Sequence, residues 1–153
     1  MPKSNDSSNP NKNVSRSIDP NNLRKSTNNV LRERLRDGKP TIGTHLMSVW
    51  PAMVEIIGYT GAIDYIEFSG EDAPYDLASL ENFGRAIDLF DHMTSMMKIE
   101  QVPKEWLASR ANGSGIQNLI FADTRSVDDA QEAVAAARHE TPGENGVAGA
   151  GWK

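Results

Sequence analysis

Four ionisable side chains sit where strand-like stretches give way to turns: His45, Glu71, Asp72 and Lys98. Histidine is the side chain best suited to moving a proton near pH 7. Lysine supplies a compact positive charge without the bidentate fork of arginine. A carboxylate beside either can accept protons or hold its partner in place. Other chemistries drop out. With no cysteine, disulfides, thiolate catalysis and zinc–sulfur sites are excluded. The two remaining histidines, His92 and His139, are far apart in sequence, which disfavours a histidine metal cluster.

These residues need elements to hold them, and the chain alternates regularly. Residues 41–46 read as a short strand and 51–59 as a helix ending before Gly61. Residues 63–68, rich in β-branched and aromatic types, form a second strand. Apolar residues at 77, 80, 83, 87 and 90 mark one face of a helix over 77–90. A third strand at 94–99, a helix at 104–111, a fourth strand at 115–121 and a helix at 127–138 follow. Ser126 is the expected N-cap of that last helix, with Asp128 and Asp129 in its first turn. Asp123 to Ser126 reads as loop and cap. Trp50 and Trp106 are expected to pack on the sheet, and Met93, Met96 and Met97 in the core.

Four strand–helix units in succession imply parallel strands with right-handed crossovers. An open flavodoxin-like sheet and part of a (β/α) barrel both satisfy that order. An open nucleotide-binding sheet carries a glycine-rich turn after its first strand. Here His45-Leu46-Met47-Ser48-Val49-Trp50 follows instead, which favours the barrel. At 153 residues the chain is short for a closed eight-unit barrel of about 250.

Before the first strand, Asp19-Pro20 reads as a helix start, with Leu23, Val30, Leu31 and Leu35 at helical spacing and Asp37-Gly38 as its close. Residues 1–18 read as a disordered polar leader, since twelve of the first twenty residues are Ser, Asn or Pro. Residues 19–153 then form the barrel portion. The leader lacks the apolar run of a secretory signal, and no stretch reaches the roughly 18 apolar residues of a membrane span. A net charge of −5 disfavours nucleic acid as a partner. Absent cysteine fits a reducing cytoplasm, the expected location.

The stretches LRERLRDGKPTIGTHL, DYIEFSGEDAPYDL, MMKIEQ and NLIFADTRSVDDAQEAVAAAR resemble the HpcH/HpaI aldolase family. The similarity runs over about residues 23–151. Its most specific piece is the turn after the second strand, Asp-Gly-Glu-His-Ala-Pro in that family and Ser69-Gly70-Glu71-Asp72-Ala73-Pro74 here. Asp129, Ala130, Glu132, Ala133, Val134 and Arg138 add to it. The resemblance implies the N-terminal half of a metal-dependent (β/α)₈ pyruvate aldolase, oligomeric when full length, that reversibly cleaves a 2-oxo acid to pyruvate and an aldehyde. It implies a divalent metal, Mg²⁺, Mn²⁺ or Co²⁺, whose ligands lie beyond Lys153. Gly70 would permit the tight turn and Pro74 stiffen its exit.

The departures fall at the site. Asp72 replaces the family's acid–base histidine, Ser69 the aspartate before it, and Lys98 the arginine that holds the pyruvate carboxylate. The resemblance thus casts Lys98 as substrate-binding and catalytic, Asp72 as catalytic, and Glu71 as a substrate-binding acid that orients its neighbours. His45, where the family has an apolar aromatic, could restore a His–carboxylate dyad with Asp72 if strands one and two are neighbours. The loop 142–146 lacks the arginine of the family's corresponding turn. Three functions follow: a carbon–carbon lyase acting on 2-oxo acids, a catalytically impaired relative with an assembly or regulatory role, and a phosphate-binding open sheet.

Overall fold

The computed structural model describes residues 29–140, 143 and 145–148. The leader, the expected helix start at Asp19-Pro20, Leu23 and most of the glycine-rich tail lie outside these residues. The described order is α1 (Val30–Arg36), β1 (Gly43–Leu46), α2 (Pro51–Tyr59), β2 (Tyr65–Ser69), α3 (Leu77–Ile87), β3 (Thr94–Ile99), α4 (Lys104–Gly113), β4 (Asn118–Phe121) and α5 (Val127–Ala137). All four strands pair in parallel in the order β1-β2-β3-β4, each beside the next in sequence. This is a four-unit portion of a parallel (β/α) barrel.

Alternation along the strands creates two faces. Leu46, Ile66, Phe68, Met97, Ile99, Leu119 and Phe121 join Val54, Leu80, Phe83, Ile87 and Leu107 in the layer between sheet and helices. Phe68 is tilted against Phe83 and meets Tyr75 edge-on. The opposite, concave face carries Gly43 and His45 from β1, Tyr65, Glu67 and Ser69 from β2, and Thr94, Met96 and Lys98 from β3. Register sets them in rows: His45 is level with Glu67, Glu67 with Met96, and Ser69 with Lys98.

Local chemistry explains the element ends. Asp76 caps α3 by accepting from the Ser79 N–H at 2.8 Å, and Pro51 opens α2 at its first position. The third helix, expected to reach residue 90, stops at Ile87. The last turn tightens, with Phe90 N–H donating to the Ile87 carbonyl. The fourth strand, expected from 115, begins at Asn118. The Ser95 hydroxyl there donates to the Gly115 carbonyl and accepts from Gln117 N–H, displacing ladder pairing. Met93 and Met97 are core residues as expected, whereas Met96 faces the concave side. Trp50 and Trp106 do not pack on the sheet. Trp50 stands at the mouth as the exposed N-cap of α2, and Trp106 lies on the outer face of α4 under the Arg110 guanidinium.

Helix α1 lies beneath the N-terminal ends of the strands. Asn29 caps it, accepting from Arg32 N–H, and donates to the Asn118 side chain at 2.9 Å. Leu31 is buried and its N–H donates to Thr94. The helix expected before the first strand is present from Val30 to Arg36 among the described residues.

Candidate active site

The turn leaving β2 is wound by its own backbone. The N–H groups of Asp72 and Ala73 both donate to the Ser69 carbonyl, and Glu71 N–H donates across to the Lys98 carbonyl. A Cβ at Gly70 would meet the end of the flexible Met97 side chain, which would have to shift to admit it. Ser69 ends β2 fully buried, and its hydroxyl donates to the Asp72 carboxylate at 2.7 Å. Lys98, one strand over, places its ammonium against Glu71 and 3.7 Å from Asp72. Ser69, Glu71, Asp72 and Lys98 thus form one cluster at the carboxyl ends of β2 and β3, the end where barrels carry their chemistry.

Charge in this cluster is held firmly. The Ser69 hydroxyl and then the Lys98 ammonium lower the Asp72 pKa below the ordinary carboxylate value, against a partial desolvation. Contact with Glu71, helped by Asp72, raises the Lys98 pKa. Lys98 is therefore a cation and Asp72 an anion at neutral pH. Lys98 remains 33% exposed, so it is reachable from the concave side. An ammonium has three hydrogens, and two carboxylates leave one direction for a ligand oxygen.

His45 does not join Asp72. Its Nδ1 lies 3.4 Å from the Glu67 carboxylate, and its Nε2 lies 3.3 Å from the Met47 sulfur. The reason is register: Glu67 stands level with His45 on the adjacent strand, whereas Asp72 lies three residues past the end of β2 and is taken by Ser69. Only the longer-range field of His45 reaches Asp72, as the weakest of the influences on its pKa. Sequence reasoning missed Glu67. The alternation Tyr65-Ile66-Glu67-Phe68 carried the signal, since it turns Glu67 to the face that His45 shares.

The second mouth loop is equally built. Ser126 caps α5, accepting from Asp129 N–H, and Asp129 accepts from Arg125 N–H. Lys104, whose side chain is only 7% exposed, bridges Asp129 and Glu132 at 3.2 Å each and ties α4 to α5. Burial works against its charge, but Glu132 and Asp129 outweigh that and its pKa is raised. His92 sits before β3 with its ring edge-on to Phe90, and His139 follows α5, so neither reaches the concave mouth. Among the described residues no group of three or more His, Asp or Glu could hold a metal ion. Glu71 is committed to Lys98, so the described residues do not fit a divalent metal by themselves.

No family model matches the chain. It is 29% identical over 119 residues to a 2-keto-3-deoxy-L-rhamnonate aldolase of Escherichia coli, covering 78% of this chain and 43% of that protein. It is 30% identical over 127 residues to a hydroxypyruvate/pyruvate aldolase of Paraburkholderia phytofirmans, covering 80% and 48%. An HpcH/HpaI aldolase structure from Desulfitobacterium hafniense superposes with a TM-score of 0.66 at 25% identity, covering 78% and 45%. The chain is related to the HpcH/HpaI aldolases. An HpcH/HpaI aldolase/citrate lyase family protein from Burkholderia cenocepacia agrees, with a TM-score of 0.71 at 28% identity over 80% of this chain and 48% of that one. This HpcH/HpaI relative spans about half the length of the proteins it matches, and the match fits their N-terminal half. No helix among its described residues is long and apolar enough to cross a membrane.

Proposed function

We propose that this chain carries the 2-oxo-acid-binding part of a carbon–carbon lyase that cleaves a 4-hydroxy-2-oxo acid to pyruvate, or a related 2-oxo acid, and an aldehyde. The supporting observation is the strand-end cluster. Lys98 presents a fixed cation to the concave mouth, with Glu71 and Asp72 holding it from behind. In this reading Lys98 binds the substrate carboxylate or 2-oxo oxygen and stabilises the charge that grows there as the bond breaks. Glu71 and Asp72 orient Lys98, and His45 is the proton carrier. A divalent cation, Mg²⁺, Mn²⁺ or Co²⁺, belongs to the proposal as the Lewis acid of the full-length family enzyme, as does assembly of the whole protein into a homo-oligomer. Absent cysteine supports a cytoplasmic location.

The test is pyruvate release from a 4-hydroxy-2-oxo acid by the whole protein that carries this chain, with each of the three metals added. Turnover should fall about a hundredfold in Lys98→Met and recover in part in Lys98→Arg. Turnover unchanged in Lys98→Met would remove the residue from the site, and no release with any metal would sink the lyase reading.

A second reading, an impaired relative with an assembly role, is favoured by one observation. The described strands β1 and β4 have a free edge each, and Ile42, Met47 and Trp50 are exposed around the first of them. A clean monomer in size-exclusion chromatography with light scattering would dispose of it.

A further inference from the structure

The aldol step needs a proton acceptor on the concave face. Among the described residues His45 is the histidine that lies there. Its partner is a residue to which nothing above assigned a role. We propose that Glu67 is a positioning residue that fixes the His45 imidazole in one tautomer, with hydrogen on Nδ1 and the lone pair of Nε2 turned to the substrate. This inference rests on the lyase reading and deepens it.

Three observations carry it. First, a carboxylate is the stronger acceptor, so the Glu67 oxygen 3.4 Å from Nδ1 favours hydrogen on that nitrogen. Second, Glu67 is the more enclosed partner, with its side chain 18% exposed against 51% for His45. The carboxylate is enclosed and the imidazole is open to a ligand. Third, the competing partner is weak. The Met47 thioether, 3.3 Å from Nε2 on an exposed side chain, can only accept and would hold the Nε2–H form. A thioether is a poorer acceptor than the Glu67 carboxylate, and an incoming hydroxyl can displace it. The other charges near this pair are Asp72 on the turn after β2 and Lys98 on β3, and these are already bound to Ser69 and Glu71.

The proton step balances without a co-reactant. Nε2 accepts the hydrogen of the substrate's 4-hydroxyl, the C4 oxygen becomes the aldehyde carbonyl, and the C3–C4 electron pair moves into the enolate that Lys98 faces. After the aldehyde leaves, the imidazolium returns its proton from Nε2 to C3, giving pyruvate. Glu67 gains and loses nothing. It keeps the ring in the orientation that lets one nitrogen do both transfers.

Two measurements on the whole protein that carries this chain decide the matter. Nitrogen-15 spectra of the neutral imidazole should show the Nδ1–H tautomer of His45 in the native chain and a shift to Nε2–H in Glu67→Ala, with Glu67→Gln holding the native form in part. With 4-hydroxy-2-oxopentanoate, Glu67→Ala should lower kcat about 10- to 100-fold with KM little changed, and Glu67→Gln should recover part of that loss. A native Nε2–H tautomer, or one that Glu67→Ala leaves unchanged, overturns the positioning role whatever the turnover. Pyruvate release with equal kcat in native and Glu67→Ala chains overturns it while leaving the lyase reading intact. No release from the native chain fails the lyase reading, and the role of Glu67 in that reaction falls with it.

Discussion

Ser69 shows how one hydroxyl sets the state of its neighbours. Fully buried, it donates to Asp72 and is the largest influence keeping that carboxyl acidic. Because the folded Asp72 pKa is depressed, the stabilisation it brings is present above the unfolded aspartate pKa and is lost as pH falls through the lower folded value. Ser69→Ala should therefore move the Asp72 titration upward, read by carbon-13 carboxyl shifts, and bring acid unfolding on at higher pH. An unmoved Asp72 would place its acidity elsewhere. At this scale the sequence was informative about identity and less so about pairing. His45, Glu71, Asp72 and Lys98 were all recognisable as mouth residues from the ends of strand-like stretches. That His45 takes Glu67 rather than Asp72 depends on a strand register that residue types alone do not specify.

Among the elements, α2 and β3 were read from residue 51 to 59 and from 94 to 99, their observed bounds, because proline and clear periodicity mark them. The beginning of β4 was not legible, since the Ser95 hydroxyl that replaces its ladder bonds lies 20 residues away from Gly115. A similar contact makes Gly84 a critical position of α3. Its helix rides so close to the 114–115 turn that a Cβ would collide with the Ser114 carbonyl oxygen. Backbone cannot yield as a flexible side chain would. Gly84→Ala should therefore destabilise by about 1–3 kcal/mol in denaturant melts, although alanine favours helices. A neutral or stabilising result would mean that α3 can slide.

For the molecule as a whole, the four-unit order, the concave face and the likeness to half of an aldolase barrel agree with one another. The sequence carried the unit order through its alternating periodicities. It did not carry the two-faced division of polar residues, which appears only when four registers are stacked. The floor beneath that face has a kinetic consequence. Every strand pairs with its neighbour in sequence, so the sheet assembles through single-helix crossovers, far shorter than the 89 residues that the Asn29–Asn118 bond spans. Closing a long loop brings its reward after its entropy is spent, which places α1 docking late in folding. Asn29→Ser keeps a helix cap but cannot reach Asn118. It should speed unfolding roughly fivefold while leaving the folding rate almost unchanged, and stopped-flow chevrons would show a raised unfolding arm alone. A fall in the folding arm would instead make α1 part of the nucleus. On the expected order of events, the floor is the last part of this cup to seal and the first to leak.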